Sequence, residues 1–331
     1  MSEHSTTLER QIASQPEQLE AVLERPLPRS AVERLSGASR IWLAGTGTSQ
    51  HAAELGAWMF QEGGRAAHAM SSMQFANRTP PLDDGDALIL ISHNATAETA
   101  YAGAAWTRGT EAGISTVALT RRGGVLPDPV ETVGKETSHT YTVSYTVALV
   151  QLARLAFELG AEAFGPDVLA RIPNAVRSAL ADPATDAVAQ PSRLLVVTGE
   201  GPAGVTAREG ALKVREASRF PAEGYDVEYL LHGHAVPLNG SDHLVTLIPP
   251  DTQGLTASVE AAARAAGIGV TRLEEPAELP VLMSQIPLTV RLQRLALRFA
   301  LERGQNPDVA IEGPWGDEGL WAVGSPGSRS R

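Results

Sequence analysis

The most restrictive feature of this chain is an order that occurs twice: a short apolar run, a turn of small residues, a helical stretch and a second apolar run. In the first half, residues 40–44 (RIWLA) lead into Gly45-Thr46-Gly47-Thr48-Ser49-Gln50, a helical stretch over 48–61 and the run 87–92 (ALILIS). In the second half, residues 193–198 (RLLVVT) lead into a Gly-rich turn, a helical stretch over 205–218 and the run 243–248 (HLVTLI). Short apolar runs separated by helical stretches predict an α/β fold with mostly parallel sheets flanked by helices. Helices over 97–112, 145–159, 255–266 and 288–303 and strands over 115–120 and 267–271 fit the same rhythm. An amphipathic helix is expected over 7–23, stopped by Pro26 and Pro28, and a connecting helix with a linker over 164–192. The organisation expected is two tandem, doubly wound domains, 1–182 including the N-terminal helix and 183–303, with an extended tail over 304–331.

Composition removes several classes of function. The formal net charge of −11 opposes nucleic-acid binding, which needs a basic excess to displace counterions. The absence of cysteine excludes disulfides, thiolate nucleophiles and cysteine-held metals. The start of the chain is polar, and no apolar run approaches the length of a membrane span, so no membrane partner and a cytoplasmic address are expected. Of 27 basic residues only two, Lys135 and Lys213, are lysine. Arginine stays charged, whereas lysine can lose its proton, so a lysine kept in such a chain marks a position where the two are not equivalent.

The turn 45–50 follows a strand and opens a helix, which directs backbone N–H groups at a natural anion site. Gln50 stands where a dinucleotide fingerprint has its third glycine, and residues 66–72 lack the acid that would hold a ribose, which argues against a nicotinamide cofactor. Thr46, Gly47, Thr48 and Ser49 instead suit a phosphate. The second strand runs into Ser92-His93-Asn94 and on to Thr99, again polar before a helix. Turns at the carboxyl ends of neighbouring parallel strands converge on one crevice. The same Ser and Thr residues would also serve as helix caps.

In the second half, Glu209, Lys213 and Glu216 recur at i, i+4 and i+7 and share one helix face. Such a triplet suits either a solvated ion-pair stripe or a charged pocket. Gly210 and Ala211 keep the helix thin for close packing, and His232-Gly233-His234 adds imidazoles that titrate near neutrality. His232 and His234 without a third ligand are not a metal site, and no metal or other cofactor is expected.

The segments E-G-A-L-K-x-x-E at 209–216, A-E-x-Y at 222–225 and L-x-H-G at 230–233 resemble the sugar-isomerase (SIS) family, in particular the isomerase half of glucosamine-6-phosphate synthase (glutamine–fructose-6-phosphate aminotransferase). G-T-S at 47–49 and Gln15-Pro16 are similar to the phosphate turn and to the entry of that half. The resemblance implies two SIS domains. It implies Glu216 as the base that moves a proton between C1 and C2, Lys213 beside it in the sugar pocket, and His232 as the ring-opening histidine that reaches in from a neighbouring subunit. It further implies Ser49 and Thr48 as phosphate ligands and a homodimer with shared active sites.

The departures from the family matter as well. The chain starts at the isomerase region, so no glutaminase is expected within it, and glucosamine-6-phosphate-like deamination or isomerisation is expected rather than synthesis. The family's S-Q-S-G-E-T loop is replaced by residues 92–99, with His93 and Asn94 changing the donor set. The tail beyond 306–308 has no lysine, so no imine through it is expected. A sensor that binds a sugar phosphate without chemistry, or a synthase half fed by a separate glutaminase, are the alternatives.

Overall fold

A computed structural model describes residues 5–94, 100–276 and 278–322. The chain is an α/β fold that divides into two compact units. One takes residues 18–136, 143–169 and 311–331, the other residues 1–17, 137–142 and 170–310.

The first of these is built on five parallel strands: β1 (Arg40–Gly45), β2 (Ala66–Ser71), β3 (Asp86–Ile91), β4 (Ser115–Thr120) and β5 (Val130–Glu131). They lie in the order β2-β1-β3-β4-β5. Every residue of β3 is buried, which its unbroken apolar run requires of a central parallel strand. Successive side chains of a strand point to opposite faces, and both faces are covered. On one face, a Cβ added to Gly56 of the helix Thr48–Glu62 would lie 2.9 Å from Leu43 and 3.0 Å from Leu152 of the helix Val143–Glu158. Ala44, Leu88 and Leu90 pack on the other face with Phe75, Ala102 and Ala105.

The second unit carries four parallel strands, β6 (Leu195–Gly199), β7 (Ala222–Asp226), β8 (His243–Ile248) and β9 (Gly269–Glu274), in the order β7-β6-β8-β9. Its core joins Leu195, Val197 and Val245 to Ala207, Ala211 and Val214 of the helix Pro202–Ser218 and to Leu288, Leu292 and Phe299 of the helix Val281–Glu302. Leu8 and Ile12 of the helix Thr7–Ala13 enter the same core.

The two units lock their first and third strands with the same device. Arg40 donates to both carboxylate oxygens of Asp86 (2.8 and 2.6 Å) and to the Pro81 carbonyl (2.9 Å), while the Asp83 N–H donates to Asp86 (2.9 Å). Arg193 does the same to Asp242 and to the Pro237 carbonyl (2.7 Å), with the Asn239 N–H on Asp242 (2.8 Å). Burial opposes ionisation of each aspartate. The arginine and backbone N–H donors outweigh it and hold both carboxyls below the usual range.

Several elements differ from the expectations. The helix expected over 7–23 is broken into Thr7–Ala13 and Gln15–Glu24. Pro16 has no N–H for the Ile12 carbonyl, and the Gln15 side chain supplies one instead (3.2 Å). The closing helix begins at Val281 and carries Pro287 inside it, so the proline does not mark its start. β2 and β7, both sheet edges with half-exposed residues, have no clean alternation to betray them. The tail expected to be extended forms two short turns, Gly313–Gly316 and Glu318–Ala322, in which Asp317 accepts from the Leu320 N–H (2.9 Å). Among the described residues, no helix is long and apolar enough to cross a membrane.

The helices Pro202–Ser218 and Val281–Glu302 cross at Gly210, where an added Cβ would stand 2.3 Å from Leu292 Cδ1 and 2.9 Å from its Cβ. Leu292 cannot swing clear from its own Cβ, so the helices would have to part. Gly210→Ala is therefore expected to cost about 1–3 kcal/mol despite alanine's better helix propensity. Urea denaturation checks this; an unchanged or higher midpoint contradicts the close crossing.

Candidate functional site

β1 ends at Gly45, and the helix Thr48–Glu62 starts three residues later. A Cβ on Gly45 would fall 2.3 Å from the Ser49 carbonyl oxygen, so only glycine lets the helix begin this close to the strand. Gly47 is the N-cap at φ 57°, ψ −125°, and caps with no side chain. Thr46 and Gly47 are exposed and Thr48 and Ser49 half-exposed. The hydroxyl turn thus stands open at the positive end of a 15-residue helix.

β3 pairs directly with β1, which puts the residues after Ile91 beside this turn. Ser92 is buried, and His93 and Asn94 are half-buried. Thr99 lies outside the described residues. The Glu136 N–H donates to His93 Nε2 (3.1 Å), so this nitrogen carries no proton. Burial, the largest influence, pushes the imidazole below its ordinary pKa, which makes His93 a neutral ring at pH 7. The Glu136 carboxylate, itself buried, caps the helix Val143–Glu158 through the N–H groups of Val143 (3.1 Å) and Ser144 (2.9 Å). The sequence analysis did not single out Glu136, and no periodicity reveals it.

In the other unit the helix Pro202–Ser218 bears Glu209, Lys213 and Glu216. Glu209 and Lys213 have no exposed side-chain surface, whereas Glu216 keeps 25% of its own. Lys213 Nζ lies 2.6 Å from Glu216 Oε2 and 3.5 Å from Glu209 Oε1. The triplet is therefore a charged pocket and not a solvated stripe. The Lys213 ammonium is shared between two carboxylates, and Glu216 is the one with access to solvent. Burial raises the Glu216 carboxyl above its ordinary pKa, and the Lys213 ammonium only partly offsets that. A carboxylate so placed is a stronger base than one in water.

His232 and His234 sit on the exposed turn Leu230–His234. His234 stacks on Tyr225, with ring centroids 4.3 Å apart. His232 forms no hydrogen bond or ion pair with Lys213 or Glu216 of its own chain.

The second unit repeats the first unit's turn. Gly201 (φ 54°, ψ −120°) caps Pro202–Ser218 as Gly47 caps its helix. Here Glu200 stands before it in place of Thr46. Its carboxylate crosses to the helix Leu255–Ala265, accepting from the N–H groups of Gln253 (2.6 Å) and Thr256 (2.8 Å) and from the Thr256 hydroxyl (2.9 Å). The second turn thus carries its own anion. Sequence reasoning missed Glu200, although its place before Gly201 was the available signal.

Residues 34–124 match the SIS domain family. The chain is 28% identical over 309 residues to glutamine–fructose-6-phosphate aminotransferase (isomerizing) of Pyrococcus horikoshii, covering 83% of this chain and 51% of the relative. To the protein of that name in Gloeobacter violaceus it is 29% identical over 308 residues, covering 81% and 50%. The chain thus spans about half the length of these curated relatives. Among solved structures, the C-terminal domain of glucosamine-fructose-6-phosphate aminotransferase from Francisella tularensis superposes with a TM-score of 0.79 at 20% identity, over 92% of this chain and 99% of that one. Glucosamine-6-phosphate deaminase from Thermotoga maritima superposes with a TM-score of 0.75 at 19% identity, over 92% and 97%. Tagatose-6-phosphate ketose/aldose isomerase from Escherichia coli gives 0.78 at 18%, over 95% and 98%. The structural likenesses establish a shared fold, and the SIS segment contains the hydroxyl turn and Ser92, His93 and Asn94.

Burial opposes ionisation of Glu200, and the N–H and hydroxyl donors overcome it, so its carboxyl sits below the usual range. A depressed carboxyl stabilises the fold above its unfolded pKa near ~4.3, and that stabilisation is lost as pH falls through the folded value. Glu200→Ala should cost about 1–2 kcal/mol at pH 7 and progressively less in acid. Urea midpoints at pH 7 and pH 3.5 check this; an equal loss at both would refute a charge-based cap.

Proposed function

We propose that the chain is a sugar-phosphate isomerase or deaminase acting on an amino-sugar phosphate of the glucosamine 6-phosphate kind, and that both units are SIS domains. The observation that carries this reading is the buried Glu209–Lys213–Glu216 cluster with one carboxylate left accessible. Aldose–ketose interconversion needs one base that removes a proton from a carbon and returns it to the next. Glu216 does this for the opened sugar. Lys213 stabilises the negative charge that develops on the neighbouring oxygen. With an amine on C2, moving the proton from C2 to C1 leaves an imine at C2. Water hydrolyses this to a ketose phosphate and ammonia.

The phosphate is held by Gly47, Thr48, Ser49, Ser92, His93, Asn94 and Thr99, and its remote binding energy orients the reacting carbons. The open hydroxyl turn at a helix N-terminus supports this part. The relatives and fold neighbours named for fructose 6-phosphate, glucosamine 6-phosphate and tagatose 6-phosphate support the substrate class. A binding protein without chemistry is the second reading. It is favoured by the 2.6 Å ion pair that occupies one Glu216 oxygen and by a fold neighbour from Salmonella typhimurium described as a putative sugar binding protein.

Ammonia and keto-sugar release across a panel of hexosamine and hexose phosphates separates the two. Glu216→Gln is expected to lower kcat by about 10²–10⁴-fold. A wild-type protein that is stabilised by these compounds but makes no product, with Glu216→Gln alike, would establish the binding reading.

His232 completes the site of a partner subunit in this proposal, and its exposure in its own chain supports that role. His232→Ala and Glu216→Gln proteins, each inactive, should regain activity when refolded together, because a mixed dimer holds one intact site. Absence of recovery, with light scattering showing a monomer, would exclude shared sites.

A further inference from the structure

The unit built on β1–β5 carries a pair of cations that nothing so far assigns. Arg121 follows β4, and its backbone N–H donates to the His93 carbonyl (3.1 Å). The Thr120 hydroxyl donates to the same carbonyl (3.0 Å), and the Glu136 N–H donates to the His93 ring (3.1 Å). These bonds gather the segments that follow β3, β4 and β5 at the carboxyl edge of the sheet, beside the hydroxyl turn that follows β1. Ligands of open parallel sheets bind at that edge.

The Arg121 guanidinium is held there without a counter-charge. Its Nη1 reaches only the carbonyls of Arg122 (3.3 Å) and Gly123 (3.5 Å), both long contacts to neutral acceptors. Its Nε is shut off from solvent with no acceptor, and among the described residues no carboxylate pairs with it. Lys135, one of only two lysines, is exposed next to Glu136. The Glu136 carboxylate, then Arg121 and Lys135, all act on His93 electrostatically, so the four groups share one locality. The nearby Glu136 carboxylate is committed to the N–H groups of Val143 and Ser144.

The second unit shows the opposite sign at the matching places. After β9 stands Glu275, whose N–H donates to the Ile248 carbonyl (3.0 Å) and whose carboxylate pairs with the buried Arg291 (2.7 Å). Before Gly201 stands Glu200, already bonded. One sheet edge therefore offers hydroxyls and an unmatched cation, and the other supplies its own carboxylates.

We propose that Arg121, with Lys135 beside it, is the charged partner of the substrate's anionic group, a phosphate monoester, at the carboxyl edge of the β1–β5 sheet, and that the β6–β9 sheet takes no such group because Glu200 and Glu275 already fill its edge. This rests on the reading of the substrate as a sugar phosphate. A cationic fork replaces part of the neutral donor set that the altered loop 92–99 no longer matches. Guanidinium–phosphate pairs are bidentate and charge-assisted, stronger than hydroxyl contacts.

Binding is measured by calorimetry with inorganic phosphate and with glucosamine 6-phosphate, beside unphosphorylated glucosamine, at two salt concentrations. Arg121→Gln should raise the Kd for both phosphates by about 10-fold or more and flatten the salt dependence. Arg121→Lys should recover part of that, and Lys135→Gln should weaken binding a few-fold. One phosphate per chain is expected in the wild type. Wild-type affinity in Arg121→Gln with its urea midpoint unchanged would overturn the proposal, as would a second phosphate lost on altering the β6–β9 edge. Lys135→Gln carries the test if Arg121→Gln does not fold, and unaltered affinity there would then overturn it. Because binding is read without turnover, an inactive protein whose phosphate affinity follows Arg121 defeats the isomerase reading alone. An active protein indifferent to Arg121 defeats this proposal alone.

Discussion

Each unit depends on the junction where its first strand passes into its first helix. At Gly45 and at Gly199 a Cβ would lie 2.3–2.5 Å from the helix that follows, so strand and helix meet closer than any side chain allows. Gly47 and Gly201 then turn the chain at positive φ, with dihedrals within a few degrees of each other. The junction aims the positive end of a helix over the carboxyl edge of a parallel sheet. The fold thereby creates an electropositive spot twice. What each unit does with it depends on one residue before the glycine, Thr46 in one and Glu200 in the other. A threonine leaves the spot open. A glutamate supplies a carboxylate that bridges to the next helix and satisfies the edge from within.

Buried charge is the other organising element. An isolated ammonium with no solvent contact would deprotonate or unfold the site, yet Lys213 is kept at that depth by Glu209 on one side and Glu216 on the other. The helix Val281–Glu302 crosses the helix of this cluster closely at Gly210. A lysine serves here in a chain that otherwise uses arginine. A compact ammonium fits between two carboxylates that each lie about one helical turn from it, a geometry that suits a planar fork less well. Of the two carboxylates, Glu216 is the one that reaches solvent. In our reading, it is the working base.

Much of this was legible from residue order. The runs 115–120 and 243–248 are strands to the residue, because a buried parallel strand needs an unbroken apolar stretch. The face shared by Glu209, Lys213 and Glu216 follows from helical spacing alone. Its burial does not, because spacing cannot say which face a partner helix covers. The last helix was expected over 288–303 and starts at Val281, with Pro287 inside it. β2 and β7 escaped notice because edge strands are only half covered and need no strict alternation. Glu136, Glu200 and Arg121 also escaped. Each acts on a residue far along the chain or on an adjacent strand's loop, and only Glu200 left a local trace, its place before Gly201.

The amino-acid sequence by itself determined the α/β class, the order of strands and helices, and the chemical types at the two turns and on the 202–218 helix. Hydrophobic periodicity and glycine stereochemistry act over a few residues and leave local traces. Only the tertiary structure decided that Lys213 is sealed from water, that Glu200 spends its charge on a neighbouring helix and that Arg121 meets no carboxylate among the described residues. Desolvation and charge pairing depend on which distant segments come together, and that is a property of the folded chain.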